Sequence, residues 1–409
     1  MGAPAARVSE LSRHWVEAGH DVTVLTGFPN HPDGVIRPEY RKHFWRGIFR
    51  EQFHGVRVVR TWLLPFPNRK PYERILNYSS FCASAALTAS FLDRPDVVIA
   101  TSPQLLVGLS GWWLSRLKKV PFVLEVRDLW PESLAGAGVG GQDSLLYRAI
   151  GRTAAFLYRS ANSIAVVTPA FREQLVRKWS VSAEKVSIIQ NGVETALFSP
   201  QNADPALTGS LKAPSQFLVS FIGTLGLAHG LDTLVAAAEQ LQSIAPEVVI
   251  MLVGEGSDRQ RIVRLVESKK LSNVRFVPQQ CREKIPAYIA ASDACVVTLK
   301  KSEVFETVIP TKMLEFMSCA RPVILAVRGQ AQRILEAAGA GICVEPGNPQ
   351  ALCDAILTLR QRPPLCEEMG RNGRSYIVHE LSRAGTANDY LQLLGTIVVE
   401  KPIQTATAA

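Results

Sequence analysis

Residues 308–327 read Val-Ile-Pro-Thr-Lys-Met-Leu-Glu-Phe-Met-Ser-Cys-Ala-Arg-Pro-Val-Ile-Leu-Ala-Val. A polar Pro310-Thr311-Lys312 turn feeds a short amphipathic helix, which breaks at Ala320-Arg321-Pro322 into an apolar strand. A helix start is an anion site, because its first amides lack partners and its dipole is positive there. Lys312 adds a full charge suited to a phosphate. Glu315, one turn further in, can accept two hydrogen bonds from a sugar diol. An anion site beside a diol acceptor is what a nucleotide-sugar requires. The plainer alternative is a capped surface helix with a solvated lysine and glutamate.

Outward from this stretch, short β-branched runs alternate with helical patterns. Towards the C-terminus, strands are predicted at 217–222, 248–253, 274–277, 294–298, 323–326 and 341–344. Towards the N-terminus they are predicted at 22–26, 56–61, 97–100, 122–126, 164–168 and 187–191, with helices such as 7–18, 105–118 and 145–159 between them. This alternation implies parallel sheets covered by helices on both faces. Residues 199–215, rich in Pro, Ser and Gly, are the predicted linker. Two domains follow from this division, 1–198 and 216–379, then a final helix over 380–400 and a disordered tail from 401 to 409. Two such domains face a cleft at the carboxyl ends of their strands, where open α/β sheets bind ligands.

A chain of 409 residues with 47 % hydrophobic composition can bury two or three cores. Its seven cysteines are scattered. They form no Cys-x-x-Cys pair and have no histidine at ligand spacing, so neither a metal site nor a disulfide framework is expected, and a reducing compartment is favoured. No signal peptide is visible. The uncharged stretches 75–92 and 97–115 approach spanning length but read better as a buried helix and as a strand, turn and helix. The net charge is +9, and residues 37–74, with ten Lys/Arg against three acids, hold +7 of it. Eight aromatics lie among those charges, from Tyr40 to Tyr72. Basic plus aromatic suits an anionic membrane surface. A merely solvated basic loop is the alternative, and nucleic acid is disfavoured because no nucleic-acid motif accompanies the charge.

Several further segments share an order and spacing with a known family. They are Gly2-Ala-Pro-Ala-Ala-Arg-Val-Ser-Glu-Leu-Ser, Gly19-His-Asp-Val-Thr-Val-Leu-Thr, Val126-Arg-Asp-Leu-Trp-Pro-Glu-Ser, Asn191-Gly-Val-Glu with Phe198, Phe221-Ile-Gly-Thr-Leu-Gly and Val253-Gly-Glu-Gly. With the 308–327 stretch they resemble the retaining GT-B glycosyltransferases of family 4, within them the bacterial group that builds O-antigen and capsule sugars (L-fucosamine transferase-like). The resemblance implies two Rossmann-like domains, the second binding a UDP-linked sugar and the first holding a glycan or polyprenyl-diphosphate-sugar acceptor. It also implies a final helix that returns to the first domain. The family begins with a strand, whereas this chain opens at Met1-Gly2-Ala3-Pro4 inside the loop that follows, so the first strand of the N-terminal domain is expected to be missing. A cytoplasmic enzyme, peripheral to the inner face of the membrane and needing no metal, is expected.

The resemblance also distributes roles. Glu315 is implied to hold the ribose; Thr311 and Lys312 are implied to hold the diphosphate, with Lys312 stabilising its departure. Gly223 allows the backbone near a phosphate. Relatives often carry Arg and Lys where Thr224 and His229 stand, so Lys300 or Lys301 are alternative sources of charge. The first of a pair of family glutamates falls at Thr307, with Glu306 adjacent, and either would touch the donor sugar. Ala320 stands where glycine is frequent, which predicts a turn that avoids positive φ. Asp128 is implied near the acceptor hydroxyl, with Arg127 beside it, and Gly2 near the transferred sugar. Arg127 and Asp128 could instead pair with each other or with Glu132. A GT-B-shaped sugar-nucleotide epimerase and a non-catalytic nucleotide-sugar-binding protein are the rival functions.

Overall fold

The computed structural model describes residues 3–30, 34–67, 70–132 and 144–399. They form two compact units, one of described residues within 4–190 together with 386–399, the other Asn191–Gly385 with Ala3.

The first unit opens with the helix Ala3–Glu17 and carries two sheets. One has β1 (Thr23–Gly27), β2 (Ile48–Phe53) and β3 (Val56–Thr61) in the order β1-β3-β2; the other has β4 (Val98–Thr101), β5 (Phe122–Val126), β6 (Ser163–Val166) and β7 (Val186–Ile188) in chain order. Parallel pairing was the expectation, and β1 with β3 and β4 through β7 follow it, with two further features. Among the described residues β1 pairs only with β3 and β4 only with β5. In addition, β2 runs antiparallel to β3. Its hairpin turns at His54-Gly55, both at positive φ (+47° and +78°), the geometry that matches the right-handed twist of the flanking strands.

β5 is buried along its whole length, and Glu125 is its one charge. Arg7, 1 % exposed, neutralises it: Nε donates to Oε1 at 3.0 Å. The same guanidinium donates to the carbonyls of Ile189 (3.1 Å) and Gln190 (3.0 Å), and Thr101 donates to the other carboxylate oxygen at 2.5 Å. Arg7 thereby ties the first helix to β5 and to the end of β7. The final helix, Arg383–Val399, completes this core. Tyr390 meets Trp15 edge to face at 5.2 Å, and Trp15 Nε1 donates to Ala387 O at 3.1 Å.

The second unit has six parallel strands: β8 (Phe217–Ile222), β9 (Val248–Val253), β10 (Val274–Val277), β11 (Ala294–Thr298), β12 (Val323–Ala326) and β13 (Gly341–Cys343). β8, β9 and β11 are almost wholly buried apolar runs, as strands covered on both faces should be. Leu218 and Ile222 enter the layer of the helix Thr311–Ser318, while Val219 and Phe221 enter that of the helix Asp232–Ile244. The order β10-β9-β8-β11-β12-β13 reverses between β8 and β11. The carboxyl ends of these two neighbours are therefore the place where an open α/β sheet takes a ligand.

Residues 199–215 are not a bare linker. They hold a 3-10 turn at Pro200–Asn202 and a helix at Pro205–Leu211, capped by Asp204, whose Leu207 and Leu211 pack on the second unit's core. The Pro and Asp there act as helix-start signals rather than as a break. The turn after the helix Thr311–Ser318 also differs from expectation, since Ala320 has φ +54°. Ala320 N–H donates to Met317 O and Arg321 N–H to Phe316 O, the paired bonds of a Schellman ending, which demands a left-handed residue at that position. A non-glycine residue there carries roughly 1–2 kcal/mol of strain. Among the described residues no helix is long and apolar enough to cross a membrane; residues 75–92 lie mostly in the helix Pro71–Ser90.

Removing one partner of a buried ion pair leaves an uncompensated charge. Glu125→Gln is therefore expected to destabilise the first unit by about 3 kcal/mol or more. All seven tryptophans precede residue 190, so urea unfolding followed by tryptophan fluorescence reads this unit alone. An unchanged midpoint would show that Arg7 is satisfied by the carbonyls of residues 189 and 190.

Candidate functional site

β8 is followed directly by Gly223, whose φ of +141° favours glycine. A Cβ added there would lie 3.0 Å from Lys312 Nζ and 3.2 Å from its Cε. The lysine thus lies against the turn, one step into a helix whose start, after Pro310, has no side-chain cap. Lys312 Nζ is buried, has no hydrogen-bond partner among the described residues and sits 3.9 Å from the centre of the Phe221 ring. Burial pushes its pKa down to about 7, against the pull of Glu315. A buried ammonium satisfied only by a ring face is incomplete, and an anion seated at Gly223 and the helix start would complete it.

His229 joins this group from the turn Leu227–His229. Its Nδ1 lies 3.2 Å from Thr298 O at the end of β11. A carbonyl can only accept, so Nδ1 carries the proton and Nε2 keeps a lone pair. Burial, then repulsion from Lys312, pushes the imidazole pKa down to about 4. His229 is consequently neutral near pH 7 and adds no charge where relatives often have lysine. Thr224, beside it, is exposed.

The other expected donor-side residues divide. Thr311 begins the lysine's helix. Glu306 ends the short helix Glu303–Glu306, and Thr307 donates its hydroxyl to Val304 O at 2.7 Å, so that proton is engaged locally. Lys300 lines an open cavity of about 130 Å³ with Gly230, Thr233, Thr298 and Gly347. Lys301 borders the same cavity and pairs with Glu345 at 3.5 Å. Glu315 is not a solvated carboxylate: Arg282 Nη1 donates to its Oε1 at 2.9 Å, and the guanidinium lies 4.9 Å over the Phe198 ring. Sequence reading missed Arg282, which stands 33 residues from Glu315 in a region without a motif.

In the first unit Arg127 and Asp128 follow β5 directly. Asp128 borders a void of about 10 Å³, room for roughly one water, with Ser102, Gln104, Trp130 and Tyr158. Burial raises its pKa to about 6, partly opposed by Arg127. Burial also lowers the Arg127 pKa, with Glu125 pulling it back up. Glu132 is engaged by Lys178 at 2.7 Å. Gly2 lies outside the described residues. Among the described residues no group of three or more His, Cys, Asp or Glu side chains is arranged to hold a metal ion.

Two α/β units, with a buried lysine at the switch point of the second, suit an enzyme acting on nucleotide-activated substrates, and comparison with known proteins names the class. Residues 2–192 match the glycosyl transferase 4-like domain and residues 208–376 the glycosyl transferases group 1 family. The chain belongs to the GT-B glycosyltransferases of this family-4-like type. It is 25 % identical to "Putative colanic acid biosynthesis glycosyl transferase WcaI" of Escherichia coli strain K12 over 84 % of this chain and 85 % of that one. Its fold is shared with sucrose-phosphate synthase of Thermosynechococcus elongatus, with a TM-score of 0.78 and 21 % identity over 98 % of this chain and 94 % of that one. It is also shared with Anabaena Alr3699/HepE, solved with UDP and glucose, with a TM-score of 0.71 and 18 % identity over 97 % and 96 %. None of these is an epimerase.

The lowered pKa of Lys312 fixes the sign of a pH effect. Between about pH 7 and the unfolded value near 10.5 the unfolded chain binds one more proton, so stability rises with pH across that window. Lys312→Met should remove this slope and raise the second unit's unfolding midpoint at neutral pH, with the gain fading towards pH 10. Calorimetric midpoints that respond to pH identically in both proteins would show that the ammonium is already compensated.

Proposed function

We propose that the chain transfers a sugar from a UDP-linked donor, with retention, to a polysaccharide or polyprenyl-diphosphate-linked sugar during synthesis of a bacterial surface polysaccharide of the O-antigen or capsule kind. The observation that carries this reading is the buried, unpartnered Lys312 ammonium beneath Gly223 at the β8–β11 switch point. UDP in the structure of Alr3699/HepE supports the choice of base, and the names of WcaI and of WaaG, a glycosyltransferase involved in lipopolysaccharide biosynthesis, support the pathway.

The donor diphosphate lies on the uncapped start of the helix Thr311–Ser318, with Lys312 as its counter-charge and Glu315 accepting from the ribose. Thr224, Glu306 and Thr307 border the donor. Departure of the diphosphate concentrates negative charge on its oxygens, which Lys312 and the helix amides stabilise. The leaving oxygen takes the acceptor hydroxyl's proton on the face from which the sugar departs, so a new glycosidic bond forms as the old one breaks, without a protein nucleophile. Lysine and helix dipole stand in for a metal ion. Asp128, with Arg127, receives the acceptor hydroxyl.

Calorimetry with UDP and transfer assays with UDP-sugars test the assignment. Glu315→Ala should weaken UDP binding by about tenfold or more. Lys312→Ala should lower turnover on the order of a hundredfold at saturating donor, more than it lowers affinity. Undiminished turnover in Lys312→Ala would remove the lysine from the reaction, and a parent that hydrolyses or epimerises the donor without transferring it would refute the transferase reading.

Asp128→Asn has a separate signature. UDP affinity should stay within about twofold of the parent, while transfer falls on the order of tenfold to a hundredfold. Loss of UDP affinity in this variant would assign Asp128 to the donor side.

Residues 37–74 support a peripheral site of action at the inner face of the membrane. Arg41, Lys42, Arg46 and Arg50 are exposed, and Trp45 (83 % exposed), Phe53 and Tyr72 stand out among them. Phe49 does not contribute, being packed on Tyr40 and 3.9 Å from the His43 ring. Arg60 is neutralised by Glu51. With roughly 1 kcal/mol per basic residue near an anionic surface, changing all four exposed cations to Ser should abolish salt-sensitive sedimentation with anionic vesicles. Equal recovery with anionic and neutral vesicles would reject membrane contact and leave the transferase reading intact.

A further inference from the structure

Arg282 occupies a position that no part of the proposed reaction has yet used. It stands in the 3-10 turn Arg282–Lys284, five residues past the end of β10 and ahead of the helix Ile285–Ala291. Its guanidinium is held on two sides. Nη1 donates to Glu315 Oε1 at 2.9 Å, and Cζ lies 4.9 Å over the Phe198 ring. Phe198 is fully buried and fixed in turn, since Arg374 Nη1 donates to Phe198 O at 2.8 Å and lies 2.9 Å from Ser318 O, at the end of Glu315's own helix. The pair is mostly shielded, with side-chain exposures of 17 % and 13 %. A carboxylate on a helix turn has several rotamers. A guanidinium stacked on a fixed ring restrains them, because its charge-assisted hydrogen bond to Oε1 favours one orientation. A carboxylate has about four acceptor sites, so the same group can also accept from hydroxyl donors.

We propose that Arg282 is a positioning residue for ribose recognition: by gripping Glu315 from the Phe198 platform it sets the carboxylate to accept both hydroxyls of the nucleotide's ribose. The inference rests on the assignment of Glu315 to the ribose. Arg282 itself touches neither diphosphate nor sugar in this scheme. Its loss therefore erodes the preference for a ribose diol and spares binding of a nucleotide that has none. A merely structural arginine would weaken both nucleotides together.

The test compares UDP with 2′,3′-dideoxyuridine diphosphate by calorimetry on the full chain. The parent should prefer UDP by about tenfold or more, the worth of hydrogen bonds to a charged acceptor. Glu315→Ala should bring the ratio close to one. Arg282→Met, which keeps an apolar stem for the Phe198 face, should reduce the ratio to about threefold or less while its affinity for the dideoxy nucleotide stays within about twofold of the parent. Arg282→Lys, which retains a charge without the fork, should fall between the parent and Arg282→Met and guards against misfolding of the methionine variant. A ratio that collapses in Glu315→Ala but persists in Arg282→Met overturns the role of Arg282 alone. Equal weakening of both nucleotides by Arg282→Met also overturns it. A ratio that survives Glu315→Ala, or a parent that does not bind UDP, overturns the ribose assignment and this inference with it.

Discussion

A lysine ammonium that lies beneath a glycine, faces a phenyl ring and has no hydrogen-bond partner among the described residues is the constraint around which the second unit is arranged. Burying a charge this way is unfavourable, and the surrounding residues divide the response. Phe221 offers its ring face. Glu315 offers a negative charge at longer range. His229 stays neutral and so adds no further repulsion near pH 7. Gly223 is required twice, by its φ of +141° and by the space its missing Cβ leaves for the lysine. None of this makes a more stable domain. It leaves a group whose charged form is completed only by an anion, the kind of compromise expected at a functional site.

The first unit shows the opposite handling of buried charge. Arg7 and Glu125 neutralise each other almost out of contact with solvent, and the guanidinium's remaining donors are met by two carbonyls. That pair is complete, and its effect is architectural. Asp128, just past the end of the same strand, is handled differently: burial pushes its carboxyl up to about 6, partly opposed by Arg127. It also borders a small void, and a perturbed carboxyl at a cavity is the better candidate for chemistry.

Much of this was legible in the sequence because the strands are short, apolar and β-branched. In the second unit the predicted runs 217–222, 248–253, 274–277, 294–298 and 323–326 coincide with the observed strands. Signals that depended on partners far along the chain were not legible. β2 carries charged and aromatic residues in an exposed strand, so it lacks the apolar run used to find the others. The Pro/Ser/Gly composition of 199–215 hid a capped helix, since Asp-Pro marks a helix start as readily as a break. Arg282 had no local signature at all, because its meaning comes from Glu315 on another element. At the lysine's helix, the sequence suggested an anion site, and tertiary packing supplied the part it could not show, a lysine whose pKa burial lowers to about 7.

Departures from the family pattern follow from the same physics. Thr224 and His229 add no positive charge beside the proposed diphosphate, the imidazole being held neutral by burial and by Lys312. Of the alternatives raised by the sequence, Lys301 is drawn towards Glu345, and Lys300 borders a neighbouring cavity. Lys312, by contrast, is buried against the turn. A shielded ammonium attracts a phosphate more strongly than the same ammonium does in water, because the effective dielectric is lower. Its pKa near 7 means that the charge is most favoured when the anion is present. In the proposed reaction the leaving diphosphate accumulates charge as the glycosidic bond breaks, so the lysine's attraction grows along the reaction coordinate rather than being fully expressed in the bound donor. A site with fewer cations therefore forfeits ground-state affinity before it forfeits transition-state stabilisation.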